Sequence, residues 1–170
     1  MKRLIFLCAF VFIGNKTFGQ EKKMSDLEAA FIFNFTKFII WDSAYYQKQF
    51  VIGVIGNSEI ISPLSQIALT NTVDDKKIII KQFFKPEDIS FCNILFISKG
   101  LDYSLSSILP RTNKGTLTIS EQPGYAEEGI AFNFVVINDK LKFESNKLAI
   151  DLAGLKVSSQ LLKLAIVIYQ

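Results

Sequence analysis

The chain has 170 residues, no histidine, and 19 basic against 16 acidic side chains. The absence of histidine excludes a Ser-His-Asp triad and a Cys-His catalytic pair, and it argues against most zinc sites. The net formal charge of the whole chain is +3. These numbers favour a single domain that acts through binding rather than catalysis.

The first 19 residues have the layout of a secretory signal peptide. Residues 1–3 supply a positive head, residues 4–13 are apolar, and residues 17–19 form a small-x-small cleavage site. An apolar run of this length is too short to span a bilayer. We therefore expect export, cleavage after Gly19, and one mature domain over residues 20–170. Without the three basic residues of the signal, 16 basic and 16 acidic residues remain, so the mature chain has no net charge that would attract nucleic acid or anionic lipid.

The first two thirds of the mature chain predict helices alternating with buried strands. Ser25-Asp26-Leu27-Glu28 has the pattern of a capping box and predicts a helix from there to about Trp41. Continuous apolar segments, typical of a parallel sheet covered on both faces, predict further strands and helices. The predicted strands are residues 50–56, 77–81, 93–98 and 116–120, with helices at 58–69 and 101–109.

The pattern changes in the last third of the chain. Residues 130–137 and 140–145 flank Asn138-Asp139, which predicts a two-residue hairpin turn. Asn146 and Ser158 are each placed to cap a following helix. The predicted fold class is therefore α/β: a mainly parallel sheet flanked by helices on both faces, in three layers, with an appended antiparallel hairpin.

Few residues suit catalysis or metal binding. The mature chain keeps one cysteine, Cys92, whose apolar neighbours predict a buried side chain rather than a reactive thiol. No lysine follows any serine by three residues, and paired carboxylates occur only as sequence neighbours, whose side chains point apart. We therefore expect no enzyme, no metal site and no cofactor; a hydrolase would need a nucleophile that the sequence does not supply.

Four stretches together resemble the YfiR-like family of bacterial periplasmic regulators. The last of them, GLKVSSQLL, is the most specific, and the order and spacing of the four cover nearly the whole mature chain. The stretches are residues 29–41 (AAFIFNFTKFIIW), 92–98 (CNILFIS), 117–120 leading into 129–132 (LTIS and GIAF), and 143–146 followed by 153–162 (FESN and AGLKVSSQLL).

The resemblance implies a non-catalytic α/β regulator that binds a protein partner. The best-known relatives repress a membrane-bound diguanylate cyclase by binding its periplasmic domain, which lowers cyclic di-GMP and disfavours biofilm; an outer-membrane lipoprotein relieves this repression. By the family pattern, Glu144 and Ile150 would bind the partner, and Lys156 and Ser158 would belong to a small-ligand pocket. Relatives also suggest a homodimer. This chain departs from them in lacking a pair of disulfides and in having Ser158 where a relative has histidine.

Several alternatives stay open at this point. The membrane partner could be a histidine kinase or another receptor instead of a cyclase. A second hypothesis is a small-solute-binding or sensor module with a cleft at the carboxyl ends of the parallel strands, where Gly56 and Ser98 would sit. We expect Glu144 on the polar face of the hairpin and Ile150 partly exposed, although an isoleucine more often packs in a core. For Ser158 we favour a capping role over a ligand role.

Overall fold

An eight-stranded mixed sheet forms the centre of the protein. The structure is a computed structural model that describes residues 17–41 and 48–168. Within these ranges the strands are, in chain order, β1 (Ile39–Ile40), β2 (Phe50–Ile55), β3 (Thr72–Val73), β4 (Lys76–Phe83), β5 (Ile94–Ile97), β6 (Leu117–Ser120), β7 (Phe132–Ile137), β8 (Lys140–Asn146), β9 (Lys156–Val157) and β10 (Ile166–Ile168).

Helices of very different length connect these strands. The longest precedes the sheet, and the later ones are one to three turns long. They are α1 (Thr17–Phe35), α2 (Ile61–Thr70), α3 (Leu105–Ile108), α4 (Lys147–Leu152) and α5 (Ser159–Leu162), with 3₁₀ turns at Pro86–Asp88 and Leu109–Arg111.

The strand order confirms the predicted α/β class. The main sheet runs β10-β8-β7-β6-β5-β2-β4-β3, and β4, β2, β5, β6 and β7 are parallel neighbours. Numbered along the chain, these five parallel strands have the doubly wound order 2-1-3-4-5, whose topological switch point lies between β2 and β5. The antiparallel hairpin of β7 and β8 is appended as predicted, and β1 pairs with β9 in a separate two-stranded sheet.

Both faces of the sheet are buried, which explains why its central strands are continuously apolar. Alternate residues of β5 show this: Ile94 and Phe96 belong to one core, and Leu95 and Ile97 to the other. The first core, on what we call the α1 face, includes residues of α1, α2, α4 and α5. The second core, on the α3 face, includes Leu105 and is smaller.

Two tight turns use left-handed backbone at paired polar residues. Asn138 and Asp139 have φ angles of 50° and 58°, and Asp74 and Asp75 have φ angles of 48° and 61°. Positive φ at both central residues is typical of the hairpin turn whose twist matches its strands, and Asn and Asp tolerate it better than most residues. Asn138-Asp139 therefore joins β7 to β8, as predicted, and Asp74-Asp75 joins β3 to β4.

The first helix differs from its prediction at both ends. It begins at Thr17, so Ser25 lies inside α1 and is not its N-cap; the good helix formers between residues 20 and 30 carry the helix through this position. The helix ends at Phe35 rather than about Trp41, in a tight turn in which the Thr36 N–H donates to the Phe33 carbonyl. The rest of the predicted signal peptide, residues 1–16, lies outside the described residues.

Candidate partner-binding surface and an adjoining cavity

Asn146 fixes the start of α4. Its Oδ1 accepts a hydrogen bond from the Ala149 N–H at 3.0 Å, as predicted for an N-cap, and its Nδ2 donates to the Ala126 carbonyl at 2.7 Å. Its own N–H donates to the Ala131 carbonyl at 2.9 Å. Because Asn146 is fully buried and uses both ends of its amide, it connects α4 to the segment that precedes β7.

The expectation that Ile150 is partly exposed is wrong. Ile150 is 3% exposed and packs in the α1-face core, whereas Leu148 is 47% exposed and Leu152 is 67% exposed. Residues two apart on a helix point in nearly opposite directions, so burying Ile150 turns both leucines outward. Leu148 and Leu152 are therefore accessible to a partner. Ile150 can affect binding only indirectly, by anchoring α4 in the core.

Glu144 lies on the α3 side of β8, on the polar face expected from the alternation with buried Phe143. Its Oε2 accepts a hydrogen bond from Asn133 Nδ2 at 3.0 Å, and Asn133 is fully buried. In the adjacent strand β10, Ile166 is the register partner of Glu144 and is 39% exposed. We call Glu144, Leu148, Leu152 and Ile166 the α4 surface.

Lys156 and Ser158 lie in a segment that holds the fold together. Lys156 is exposed and pairs with Ile40 between β9 and β1, and the Ser158 N–H donates to the Phe38 carbonyl at 2.9 Å. Ser158 Oγ accepts from the Leu161 N–H at 3.3 Å, so its predicted capping role is confirmed. The role of these two residues in ligand binding stays a prediction.

A cavity of about 270 Å³ adjoins α4 on the α3 side of the sheet. It opens between α4 and the loop that precedes β6, near the amino ends of β6 and β7. Neither Lys156 nor Ser158 lines it. The lining residues are Leu109, Thr112, Asn113, Lys114, Thr116, Thr118, Gly129, Ala149, Leu152 and Ala153.

At the topological switch point, where the alternative hypothesis predicted a cleft, the segments after β2 and β5 lie side by side. The Ser98 N–H donates to the Ile55 carbonyl at 3.2 Å, which brings Ser98 beside Gly56. Gly56 has φ +96°, and a Cβ added there would lie 2.6 Å from Leu101 Cδ2. Leu101 therefore fills the space beside Gly56 where ligands of doubly wound proteins commonly bind.

A buried carboxyl group lies at this same edge of the sheet. Glu28 of α1 is 4% exposed, and burial raises the pKa of its carboxyl from 4.5 to about 8; the nearby Glu121 carboxylate raises this pKa further, and the Lys99 ammonium opposes the shift. Lys99 and Glu121 form an ion pair at 3.6 Å. Glu28 is therefore largely protonated at neutral pH, which lowers the cost of burying it.

Cys92 is buried, as predicted, and burial raises the pKa of its thiol to about 12. A thiol that stays protonated at neutral pH is a poor nucleophile and a poor metal ligand. Within residues 17–41 and 48–168, no group of three or more Cys, Asp or Glu side chains could hold a metal ion.

The sequence reasoning missed the two exposed leucines. The available signal was the spacing of the apolar residues in a helix predicted from its Asn146 cap: Leu148 and Leu152 share a face, and Ile150 lies opposite them. A helix this short at the surface buries only one face, so either the leucines or the isoleucine had to be exposed. The choice between the two depends on packing against the sheet, which the local pattern does not determine.

Comparison with known proteins identifies the family. The model of the YfiR/HmsC-like family matches residues 25–166. The chain belongs to the YfiR/HmsC-like family. This family consists of periplasmic regulators of diguanylate cyclase pathways, and its members are regulatory rather than catalytic. No curated protein matches the chain. Among the described residues, no helix has the length and apolar character needed to cross a membrane.

Proposed function

We propose that this protein is a periplasmic repressor that binds the periplasmic domain of an inner-membrane diguanylate cyclase through the α4 surface and so lowers cyclic di-GMP. The observation that carries the proposal is the exposure of Leu148 and Leu152 on a helix whose other face is anchored in the core. Two exposed leucines one turn apart on a capped helix have the i, i+4 spacing with which a helix places apolar side chains in a partner groove.

The polar groups around these leucines support a specific interface. Glu144 is held by Asn133, so its carboxylate is oriented before any partner arrives and loses little side-chain freedom on binding. Lys147 and Asp151 form an exposed ion pair at 2.7 Å on α4. An apolar centre with a charged rim matches the composition of transient protein interfaces. We infer that the partner offers an apolar groove with a basic group positioned for Glu144.

Photo-crosslinking in cells that export the protein tests the proposal. A photoreactive residue at Leu152 should crosslink to one inner-membrane protein with a periplasmic domain, identified by mass spectrometry. The matched control is Leu69 on α2, which is 77% exposed but lies outside the α4 surface. Glu144→Lys should lower the yield from the Leu152 probe, and deletion of the gene should raise cyclic di-GMP.

Different products lead to different conclusions. A product that contains a histidine kinase would support the α4 surface as the binding site but show that the partner is a kinase and not a cyclase. Regulation of a histidine kinase is our second candidate function. Equal yields of product from the Leu152 and Leu69 probes, or no product from either, would refute the proposal that the partner binds the α4 surface. An outer-membrane lipoprotein that relieves repression should compete with the inner-membrane product. A homodimer would give a crosslinked band of twice the mass of the exported chain.

A further inference from the structure

The cavity beside α4 has polar groups at its base that can bind a ligand. Thr118 of β6 and Thr116, which directly precedes β6, are both buried on the α3 side of the sheet. Thr118 Oγ1 accepts from the Ala131 N–H at 2.9 Å, so its own hydroxyl hydrogen is available to donate. Thr116 Oγ1 donates to the Cys92 carbonyl at 2.7 Å and can still accept a hydrogen bond. The base of the cavity therefore offers one donor and one acceptor.

The charge of the lining favours an anion. Lys114 is the one ionisable residue among those that line the cavity, and no carboxylate accompanies it. Within the described part of the chain, no ion pair joins Lys114 to an acidic side chain. An ammonium that has no acidic partner among the described residues, together with the Thr118 hydroxyl as a donor, suits a carboxylate or a phosphate group.

The remaining wall is apolar and made largely of small side chains. Ala149 and Leu152 of α4 and Ala153 at its C-cap line this wall together with Leu109 and Gly129. Gly129 has φ +109°, a backbone conformation that residues with a side chain rarely adopt, so this position strongly favours glycine. Small residues on both sides leave a space of about 270 Å³, near the lower end of the range for ligand pockets.

We propose that this cavity binds a small organic anion, with its charged group at Lys114 and Thr118 and its apolar body against α4. A ligand in this position bridges α4 and the loop before β6, which are already connected by the hydrogen bond from the Gly115 N–H to the Ala153 carbonyl at 2.8 Å. Because Leu152 belongs to both the cavity and the α4 surface, occupancy would bias how α4 meets its partner. This regulatory consequence rests on the proposed function, whereas ligand binding does not.

Nuclear magnetic resonance titration of the exported protein tests the site without any partner. The probes are benzoate and phenyl phosphate, each with a neutral counterpart, benzamide and phenol. We expect saturable shifts of the amides of residues 112–118, 129 and 149–153 with the anions, and about tenfold weaker binding of the neutral counterparts. Lys114→Gln should weaken benzoate binding by a similar factor. Lys140→Gln, at the exposed hairpin, should leave benzoate binding unchanged.

A second variant tests the apolar wall independently of charge. Ala153→Leu fills the cavity from α4 and should abolish the benzoate shifts while the other amide signals stay in place. The proposal fails if neither anion gives saturable shifts, if the shifts map to other residues, or if Lys114→Gln and Lys140→Gln bind benzoate equally. Because the titration contains no partner, its failure leaves the crosslinking from Leu152 unaffected, and the reverse also holds.

Discussion

The two ends of the parallel sheet differ in how their space is used. At the carboxyl end, where doubly wound proteins commonly bind ligands, Leu101 packs onto Gly56 and the carboxyl of Glu28, a residue of α1, is buried. At the amino end, a cavity opens beside α4, whose leucines point outward. The fold thus has the topology of a ligand-binding protein, and the cavity found among the described residues lies at the other end of the sheet, next to the candidate partner surface.

The largest effect that we expect at the carboxyl end is a dependence of stability on pH through Glu28. The pKa of its carboxyl is about 8 in the folded state and 4.5 ordinarily, so the folded protein binds more protons than the unfolded chain between these values. The stabilisation is fully present below pH 4.5 and is lost as the pH rises through about 8. The difference between the two pKa values corresponds to a loss on the order of 5 kcal/mol.

Urea unfolding at a series of pH values between 5 and 9 measures this effect. Glu28→Gln should remove most of the downward slope because its neutral amide needs no proton. Glu59→Gln, at an exposed position, is the matched control and should keep the slope. If Glu28→Gln and the unmodified protein show the same slope, the carboxyl end contains no buried proton-binding group.

The second effect concerns how firmly α4 is seated at the amino end. Ile150→Ala removes a buried side chain and should cost about 3 kcal/mol of unfolding free energy. Leu152→Ala removes an exposed one and should change stability by less than about 0.5 kcal/mol. The same unfolding experiment on both variants separates a structural residue from a surface residue. A similar loss for both would show that α4 does not bury Ile150 in solution.

The comparison also shows what the sequence could and could not reveal. The Asn138-Asp139 turn and the Asn146 and Ser158 caps were predictable because each depends on neighbouring residues. The contact of Leu101 with Gly56 joins positions far apart in the chain, and local patterns do not determine such contacts.

The cavity could not be predicted from the sequence for the same reason, since it too depends on contacts between distant residues. Its walls come from the loop before β6, the residue before β7 and the helix α4, and no single stretch of sequence contains them. The sequence therefore predicted the parallel sheet, the hairpin and the helix caps. The details that matter for the candidate site, such as which face of α4 is buried and where small residues leave space, arise only from packing.

A third prediction compares a glycine at each end of the sheet. Gly56→Ala places a Cβ 2.6 Å from Leu101 Cδ2 at a backbone φ of +96°, so steric conflict and strain add together. Gly154 follows α4 with φ +70° and has nothing within 4 Å of an added Cβ, so Gly154→Ala should suffer from strain alone. We expect losses of about 2 kcal/mol or more for Gly56→Ala and about 1 kcal/mol for Gly154→Ala. Equal losses would mean that Leu101 moves aside easily and that the carboxyl end is less tightly filled than its geometry indicates.

The smallest effect that we expect concerns Ser158, and it distinguishes ligand binding at the Lys156–Ser158 segment from ligand binding in the cavity beside α4. Ser158→Ala removes the hydroxyl that accepts from the Leu161 N–H and should cost about 1 kcal/mol in urea unfolding. Ser158→Asn should restore most of this loss, because asparagine caps helices as well as serine does. Neither variant should alter the benzoate titration, since Ser158 does not line the cavity. If Ser158→Asn is as unstable as Ser158→Ala, capping is not what this serine contributes. If benzoate binding weakens in both variants, the anion binds at the Lys156–Ser158 segment instead of in the cavity beside α4.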